Sequence, residues 1–311
     1  MATAPFPVQP YLTSIAIGYR NGRMIADQVL PKVPVGEMTF KYFKQSIETG
    51  FTVPNTRVGR TSQPNRIEFE STEVADFTRD RGLDDPIPQS DIDSARNNPA
   101  LGNPEGRATE YLTNLIELDR EIRVAGEVFN LANYGANNKD TLVGAEKFSD
   151  FVGSDPITVI QTALDSMVMR ANKLIMGRVV ASVLQRHPKI VKAFNANAGD
   201  SGIVPLDYLA RLFELDQVLV GEGWVNNAKR GQPPALARVW GNALALVFSD
   251  PLATPSTGTT YGFTAQWGTR LAGSIPDPDI GLRGGVRVRV GESVQEVITT
   301  PDLGYLITDV V

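Results

Sequence analysis

One uninterrupted helical pattern runs from Asn103 to about Asn133, and it constrains the fold more than any other stretch of the chain. Asn103-Pro104-Glu105 is a helix start. The asparagine side chain can accept from a free backbone N–H of the first turn, proline needs no N–H there, and the acid sits at the positive end of the helix dipole. Tyr111, Leu115, Leu118, Ile122, Ala125 and Phe129 follow at steps of three and four residues, which predicts that they line one buried face. Glu110, Glu117, Arg120, Glu121, Arg123 and Glu127 then belong to the opposite side. About thirty residues rising roughly 1.5 Å each make a stiff rod on the order of 45 Å, well beyond the average helix.

The chain ahead of the rod has a different texture. Residues 1–36 mix Tyr11, Leu12, Ile15, Ile17 and Tyr19 with Pro5, Pro7, Pro10, Pro31 and Pro34, which makes a poor compact domain and predicts an extended arm laid on something else. Residues 37–85 predict a long β-hairpin, with one strand at about 38–44 and its return at about 66–78. The connection between them, Gly50 to Asn65, is far longer than an ordinary hairpin loop. Its charge is segregated: Arg57, Arg60 and Arg66 stand in 55–66 without an acid, and Glu68, Glu70, Glu73 and Asp76 stand in 68–76 without a base. Such a hairpin is either a solvated flap or an arm whose arginine tip docks on an acidic surface of another copy, since a lone hairpin buries too little to hold its shape. The second reading makes Arg57, Arg60, Arg66, Glu68, Glu70 and Glu73 candidate interface residues. Residues 86–104, with four prolines, read as a linker.

Beyond the rod the pattern predicts a helix over 156–172 with Asp155 as its cap, and a short buried strand, Lys173 to Gly177. A helix over 178–194 follows, interrupted at His187-Pro188, then a helix over 205–213. Strands are expected at 217–221, 239–248, 262–267, 286–290 and 306–308. Helices and strands show no regular βαβ alternation, so the class is α+β.

Little in the composition supports enzyme chemistry. The chain has no cysteine and one histidine, which removes disulfides, thiolate nucleophiles and cysteine-rich or two-histidine metal sites. His187 precedes a proline and reads as a turn residue making a backbone hydrogen bond. Gly18 to Arg23 lacks the lysine and hydroxyl of a phosphate loop, and neither Asp91/Asp93 nor Asp277/Asp279 continues into a calcium loop. No catalytic residue, cofactor or metal site is therefore expected. The 30 basic and 35 acidic residues give a net charge of −5, which argues against gripping nucleic acid through counterion release. Neither a secretory signal nor a membrane span is visible, so a soluble protein made in a reducing cytoplasm is expected. On the strand around Val286–Val290, Arg287 and Arg289 share one face, which reads as solvent-exposed or as one side of an intersubunit salt bridge.

The order of parts, apolar arm, charged hairpin, proline linker, rod, compact α+β region and returning strands, resembles the major capsid proteins of tailed bacteriophages, with the Hong Kong 97-type fold. Residues 25–35 (IADQVLPKVPV) resemble the arm of such proteins. Residues 173–177 (KLIMG), with Leu184 to Ile190, are similar to a strand–helix unit of their axial domain. The stretch from Leu212 to Gly221, then Trp224, Asn227-Ala228 and Val239 to Asn242, matches the same style.

The resemblance implies a Hong Kong 97-like architecture: an N-terminal arm (1–36), an extended loop (37–85), a linker and the spine helix of the peripheral domain (86–153), a mostly axial domain (154–265), and C-terminal strands returning to the peripheral domain (266–311). It implies pentamers and hexamers of an icosahedral shell that encloses double-stranded DNA without sequence-specific binding. It also implies a virion location after assembly in the host cytoplasm, and portal, scaffolding and decoration proteins as partners. Because Met1 leads directly into the arm, any scaffold is expected to be a separate polypeptide and the N-terminus untrimmed. Two alternatives stay open: an encapsulin-like nanocompartment shell, and a cytosolic enzyme working through carboxylates.

Overall fold

A computed structural model describes residues 6–19, 21–45, 53, 55–64, 66, 71–98, 100, 102–195, 199–229, 231–255 and 258–311. Its longest helix is Pro104–Val128, 25 residues, which at 1.5 Å per residue is about 37 Å. The Asn103 side chain accepts from the Glu105 N–H at 3.1 Å, as the start signal predicts. The rod is shorter than expected, because a separate 3₁₀ turn, Leu131–Asn133, takes up the end of the pattern.

Ahead of the long helix lie helices Pro10–Gly18 and Ala26–Val29, strand β1 (Lys32–Val35), the hairpin β2 (Thr39–Gln45) and β3 (Ser71–Phe77), strand β4 (Arg79–Pro88) and helix Gln89–Asn97. After it come β5 (Lys139–Thr141), helix Pro156–Ser166, β6 (Lys173–Gly177), helices Arg178–Arg186, Pro188–Phe194 and Leu206–Leu212, and β7 (Gln217–Gly221). A ribbon of β8 (Trp224–Asn226) and β9 (Leu236–Arg238) leads to β10 (Leu244–Val247), the long pair β11 (Gly262–Asp277) and β12 (Gly285–Ile298), and β13 (Gly304–Thr308). This mixture is the α+β class that the sequence predicts.

Two sheets organise these elements. The first has the order β1-β11-β12-β4 and packs Val288 and Val290 with Leu112 and Ile116 of the long helix and Leu12 of the first helix. The second has the order β5-β13-β10-β6-β7 and is covered on both faces. Leu174, Met176, Leu244 and Leu246 join the cluster formed with the Pro156–Ser166 and Arg178–Arg186 helices. Ile175, Ala245 and Val247 point the other way, to Val124, Ala125 and Val128 of the long helix and to Trp240. Alternating side chains of a strand therefore feed two cores, which is why β6 and β10 read as continuous apolar runs. Gly221 lies against the Trp240 ring where a Cβ would overlap it.

Several expectations are corrected. The long helix buries Ala108, Leu112, Ile116, Val124 and Val128, while Tyr111, Leu115 and Ile122 are 72%, 50% and 39% exposed. The buried face includes Thr109 and Thr113, whose hydroxyls donate to the Glu105 and Thr109 carbonyls, so they enter the interior already satisfied. It also includes Arg120 and Glu121, which the sequence pattern places on the other side.

Residues 1–36 are expected as an extended arm, yet their described part folds onto its own chain. Leu12, Ala16, Val29 and Leu30 are buried, because Pro10 starts a helix that puts Leu12 and Ala16 one turn apart on the same face. The stretch 86–104, expected as a linker, holds the end of β4 and the Gln89–Asn97 helix. The last strand, β13, lies in the five-stranded sheet between β5 and β10, apart from β11 and β12. Three boundaries also shift: the helix after Asp155 ends at Ser166, β10 covers only Leu244–Val247, and β11 runs on to Asp277.

Candidate functional site

The hairpin forms as expected, with Thr39 opposite Phe77 and Gln45 opposite Ser71. Its base is anchored where Phe40 and Tyr42 pack with Phe263, Ala265 and Val297, the Tyr42 and Phe263 rings edge to face at 6.5 Å. Burial there pushes the Tyr42 hydroxyl above its usual range, and Asp76 adds to the effect. Arg57, Arg60 and Arg66 are exposed, and none of them forms an ion pair among the described residues. Glu68 and Glu70 lie outside the described residues. Glu73 meets Lys41 across the hairpin at 2.7 Å. Both side chains are open to water, where such a pair contributes little. The structure thus leaves each of the three arginines exposed and gives Glu73 a partner within its own chain.

The exposed side of the long helix offers a surface of opposite character. Tyr111, Leu115, Leu118 and Ile122 recur at three- and four-residue steps along it, with Leu118 half-buried. Glu110, Asp119 and Glu127 are exposed on the same helix, and Asp119 pairs with Arg123. An apolar stripe flanked by carboxylates can receive an extended segment that carries both apolar and cationic side chains.

A buried charge cluster joins the arm, the long helix and the two sheets, and nothing in the residue pattern announces it. Glu121 accepts from the Ile25 and Ala26 N–H groups at 3.0 and 2.7 Å and from the Trp240 indole N–H at 2.5 Å. Burial pushes its carboxyl up, against the pull of those three donors and of Arg120. Arg120 donates to the Leu30 carbonyl at 3.0 Å and to Thr264 Oγ1 at 3.1 Å, and pairs with Asp27. Burial lowers Arg120 to about 10, with Glu292 and Glu296 opposing. Glu292 sits 3.0 Å from both Lys32 and Arg270. Burial raises its carboxyl, but the two cations hold it below the usual carboxylate range.

Arg270 reaches Glu292 because β11 breaks register between Trp267 and Leu271, where Gly268 takes a φ of 67°. The bulge turns the guanidinium inward, to the Ala16 carbonyl and Glu117 as well. In the sequence these groups look like ordinary solvated charges at helical spacing. Their partners are far away along the chain, 119 residues in the case of Trp240 and Glu121.

His187 occupies the break between helices, as expected, and is fully buried. Its Nδ1 accepts from the Lys189 N–H at 3.3 Å, so Nε2 carries the proton and donates to Ser154 Oγ at 3.0 Å. Ser154 Oγ donates in turn to the Asp150 carbonyl at 2.6 Å. The ring therefore has no free lone pair with which to take the serine proton, and burial and Lys189 hold its pKa below the ordinary value. Arg287 and Arg289 are tied within the chain, to Asp277 at 3.0 Å and to Asp84 at 2.6 Å. Among the described residues no group of His, Asp or Glu is placed to hold a metal ion, and no helix is long and apolar enough to cross a membrane.

No family model matches the chain. Over 311 residues it is 54% identical to a "Major capsid protein" of Pseudomonas phage JBD67, covering 100% of this chain and 99% of that one. A crystal structure of a phage-related protein from Bordetella bronchiseptica RB50 superposes with a TM-score of 0.77 at 25% identity, covering 99% of both chains. The capsid of cyanophage P-SCSP1u shares the fold with a TM-score of 0.59 at 9% identity, covering 99% of this chain and 92% of that one.

Proposed function

Because this chain belongs to the major capsid proteins of phages, we propose that its copies assemble as pentamers and hexamers of an icosahedral shell around double-stranded DNA. The full-length likeness to a phage capsid protein carries this reading, and it favours a phage head over an encapsulin-like nanocompartment of the same fold. A capsid subunit is a structural protein, and its work is association. Apolar burial supplies the driving force, and complementary charge sets the register between copies.

In this reading the arginines of one copy, Arg57, Arg60 and Arg66, lie on the Tyr111–Leu115–Ile122 stripe of a neighbour, with Glu110 and Asp119 facing the guanidinium groups. Supporting it are the three unpaired cations on one side and the apolar stripe with its carboxylates on the other. The net charge of −5 suits a container that must hold DNA without gripping it. The five-stranded sheet with its helices corresponds to the axial unit, and the four-stranded sheet with the long helix to the peripheral one. A scaffolding protein and a portal are the expected partners of such copies, and the particle forms in the host cytoplasm and ends as the virion shell.

Negative-stain microscopy of the expressed chain tests the shell directly. Closed particles containing nuclease-protected DNA in infected cells support a phage head, and particles filled with protein cargo sink it. Replacing Arg57, Arg60 and Arg66 together with glutamate is expected to abolish shells while the subunit keeps its circular dichroism spectrum. Normal shells from that variant would refute the docking of the arginine tip.

A further inference from the structure

The four-stranded sheet has one face on the long helix and a second face turned away from it, where a stretch of floor is made of two glycines and the Leu271 side chain. Val288 and Val290 point to the helix, so the two-residue period of a strand sends Arg289, Gly291 and Ser293 outward. Gly291 is paired with Gly82 of β4 and with Leu271 of β11. A Cβ on either glycine would meet only backbone atoms. One wall of the resulting trough is the Asp84–Arg289 pair, with the Phe6 ring 5.5 Å from the guanidinium. The other is Trp267 with Ser293, whose hydroxyl donates to Asp80. The trough measures about 760 Å³. Its walls stand four residues apart on β12, on the order of 13 Å along the strand. That admits a loop tip between the wall side chains and excludes a helix, whose diameter is about 10–12 Å.

We propose that this trough receives the β11–β12 loop tip of a second copy, with Leu282 on the glycine floor and Arg283 at Asp80. The three most exposed large apolar side chains among the described residues are Leu282, which is fully exposed, Val152 at 92% and Leu252 at 86%. Val152 and Leu252 donate their N–H groups to Asp150 and Asp250 and have no cation beside them to offset the repulsion of those acids by Asp80 and Asp84, whereas Asp279, three residues before Leu282, is offset by Arg283. Leu282 alone of the three is followed by a cation, Arg283, which is exposed and has no ion pair among the described residues. Asp80 likewise has no ion pair among them. The tip cannot reach the trough of its own chain, because Gly285 and Gly291 are held about 20 Å apart along β12. The contact is head-to-tail, the kind that closes into rings when copies are arranged around an axis. It rests on the shell reading and adds a second contact surface, separate from the arginine tip.

The test exploits the absence of cysteine from the chain. Particles are formed from a chain carrying Leu282→Cys and Ser293→Cys, oxidised mildly and run on a non-reducing gel. Within one chain the two positions lie far beyond the roughly 7 Å Cα separation that a disulfide tolerates, so any bond joins copies. Covalent oligomers from the double variant and monomers from each single variant are the expected result. Monomers from intact double-variant particles overturn the docking and leave the shell reading standing, since the particles themselves report the shell. Oligomers from Leu282→Cys alone show that tips meet tips, which also overturns it. As a second readout, Leu282→Asp alters only an exposed loop, and its subunit is expected to fold but lose particle formation. Particles at wild-type yield would count against the proposal.

Discussion

Glu121 gives the sharpest test of how the subunit is held together. Its side chain is fully buried and accepts from two backbone N–H groups of the arm and from the Trp240 indole. Glu121→Ala removes the acceptor that those three donors have among the described residues and opens a gap between the long helix, the arm and the five-stranded sheet. A buried donor left without a partner costs about 1–3 kcal/mol, so three cost about 3 kcal/mol at the low end, even if water reaches some of them. Arg120 keeps Asp27, the Leu30 carbonyl and Thr264, so its loss of Glu121 adds less. For a chain of this size, with an unfolding entropy of about 0.65 kcal/mol/K, a destabilisation of about 3 kcal/mol corresponds to a fall in Tm of roughly 4–5 °C. Thermal unfolding followed by circular dichroism measures it, with Glu110→Ala, exposed on the same helix, as the control expected within about 0.5 kcal/mol of wild type. A Tm for Glu121→Ala within about 2 °C of wild type would show that the carboxylate is not the joint between arm, helix and sheet.

Two more predictions follow from the same interior. Gly221→Ala places a methyl group inside the Trp240 ring, so the ring must move. A loss of about 3 kcal/mol is expected in thermal unfolding, and a neutral result would mean that Trp240 has room to spare. Glu292 is held below the usual carboxylate range by Lys32 and Arg270. A depressed folded-state pKa contributes stability above the unfolded value of about 4.3, and that contribution is lost as pH falls through the lower folded value. Glu292→Gln is therefore expected to be less stable than wild type at pH 7 but to lose less on acidification below about pH 4. Parallel stability–pH curves for the two proteins would contradict the assignment.

The arm and the hairpin show how a protein of this kind uses one chain for two purposes. Ahead of the hairpin, Leu12, Ala16, Ile25, Val29 and Leu30 are spent on the chain's own long helix and sheets, and Lys32 and the Ile25–Ala26 backbone lock them there through buried carboxylates. The hairpin tip and the spine stripe, in contrast, keep cations and apolar side chains exposed. That division matches a subunit that must be stable alone and still present surfaces to its neighbours.

Much of this was legible from residue order alone. The cap at Asn103, the Asp155 side chain accepting from Thr158 at 3.2 Å, the wholly buried β6, the break at His187-Pro188 and the charged hairpin all follow from local signals. Such signals report how a segment satisfies its own backbone and how its apolar residues repeat, and those depend on neighbours within a few positions. Which side of the long helix is buried was decided elsewhere. Thr109, Thr113, Arg120 and Glu121 go inside because each finds a hydrogen-bond partner there, and for the two charged residues those partners lie in the arm, in β11 and at Trp240. Tyr111, Leu115 and Ile122 stay outside for want of an unoccupied interior on that side. Hydrophobic period alone ranks side chains by their own affinity for water. Burial in the folded protein also depends on whether a distant segment completes their polar bonds, and only the tertiary structure brings that segment into place.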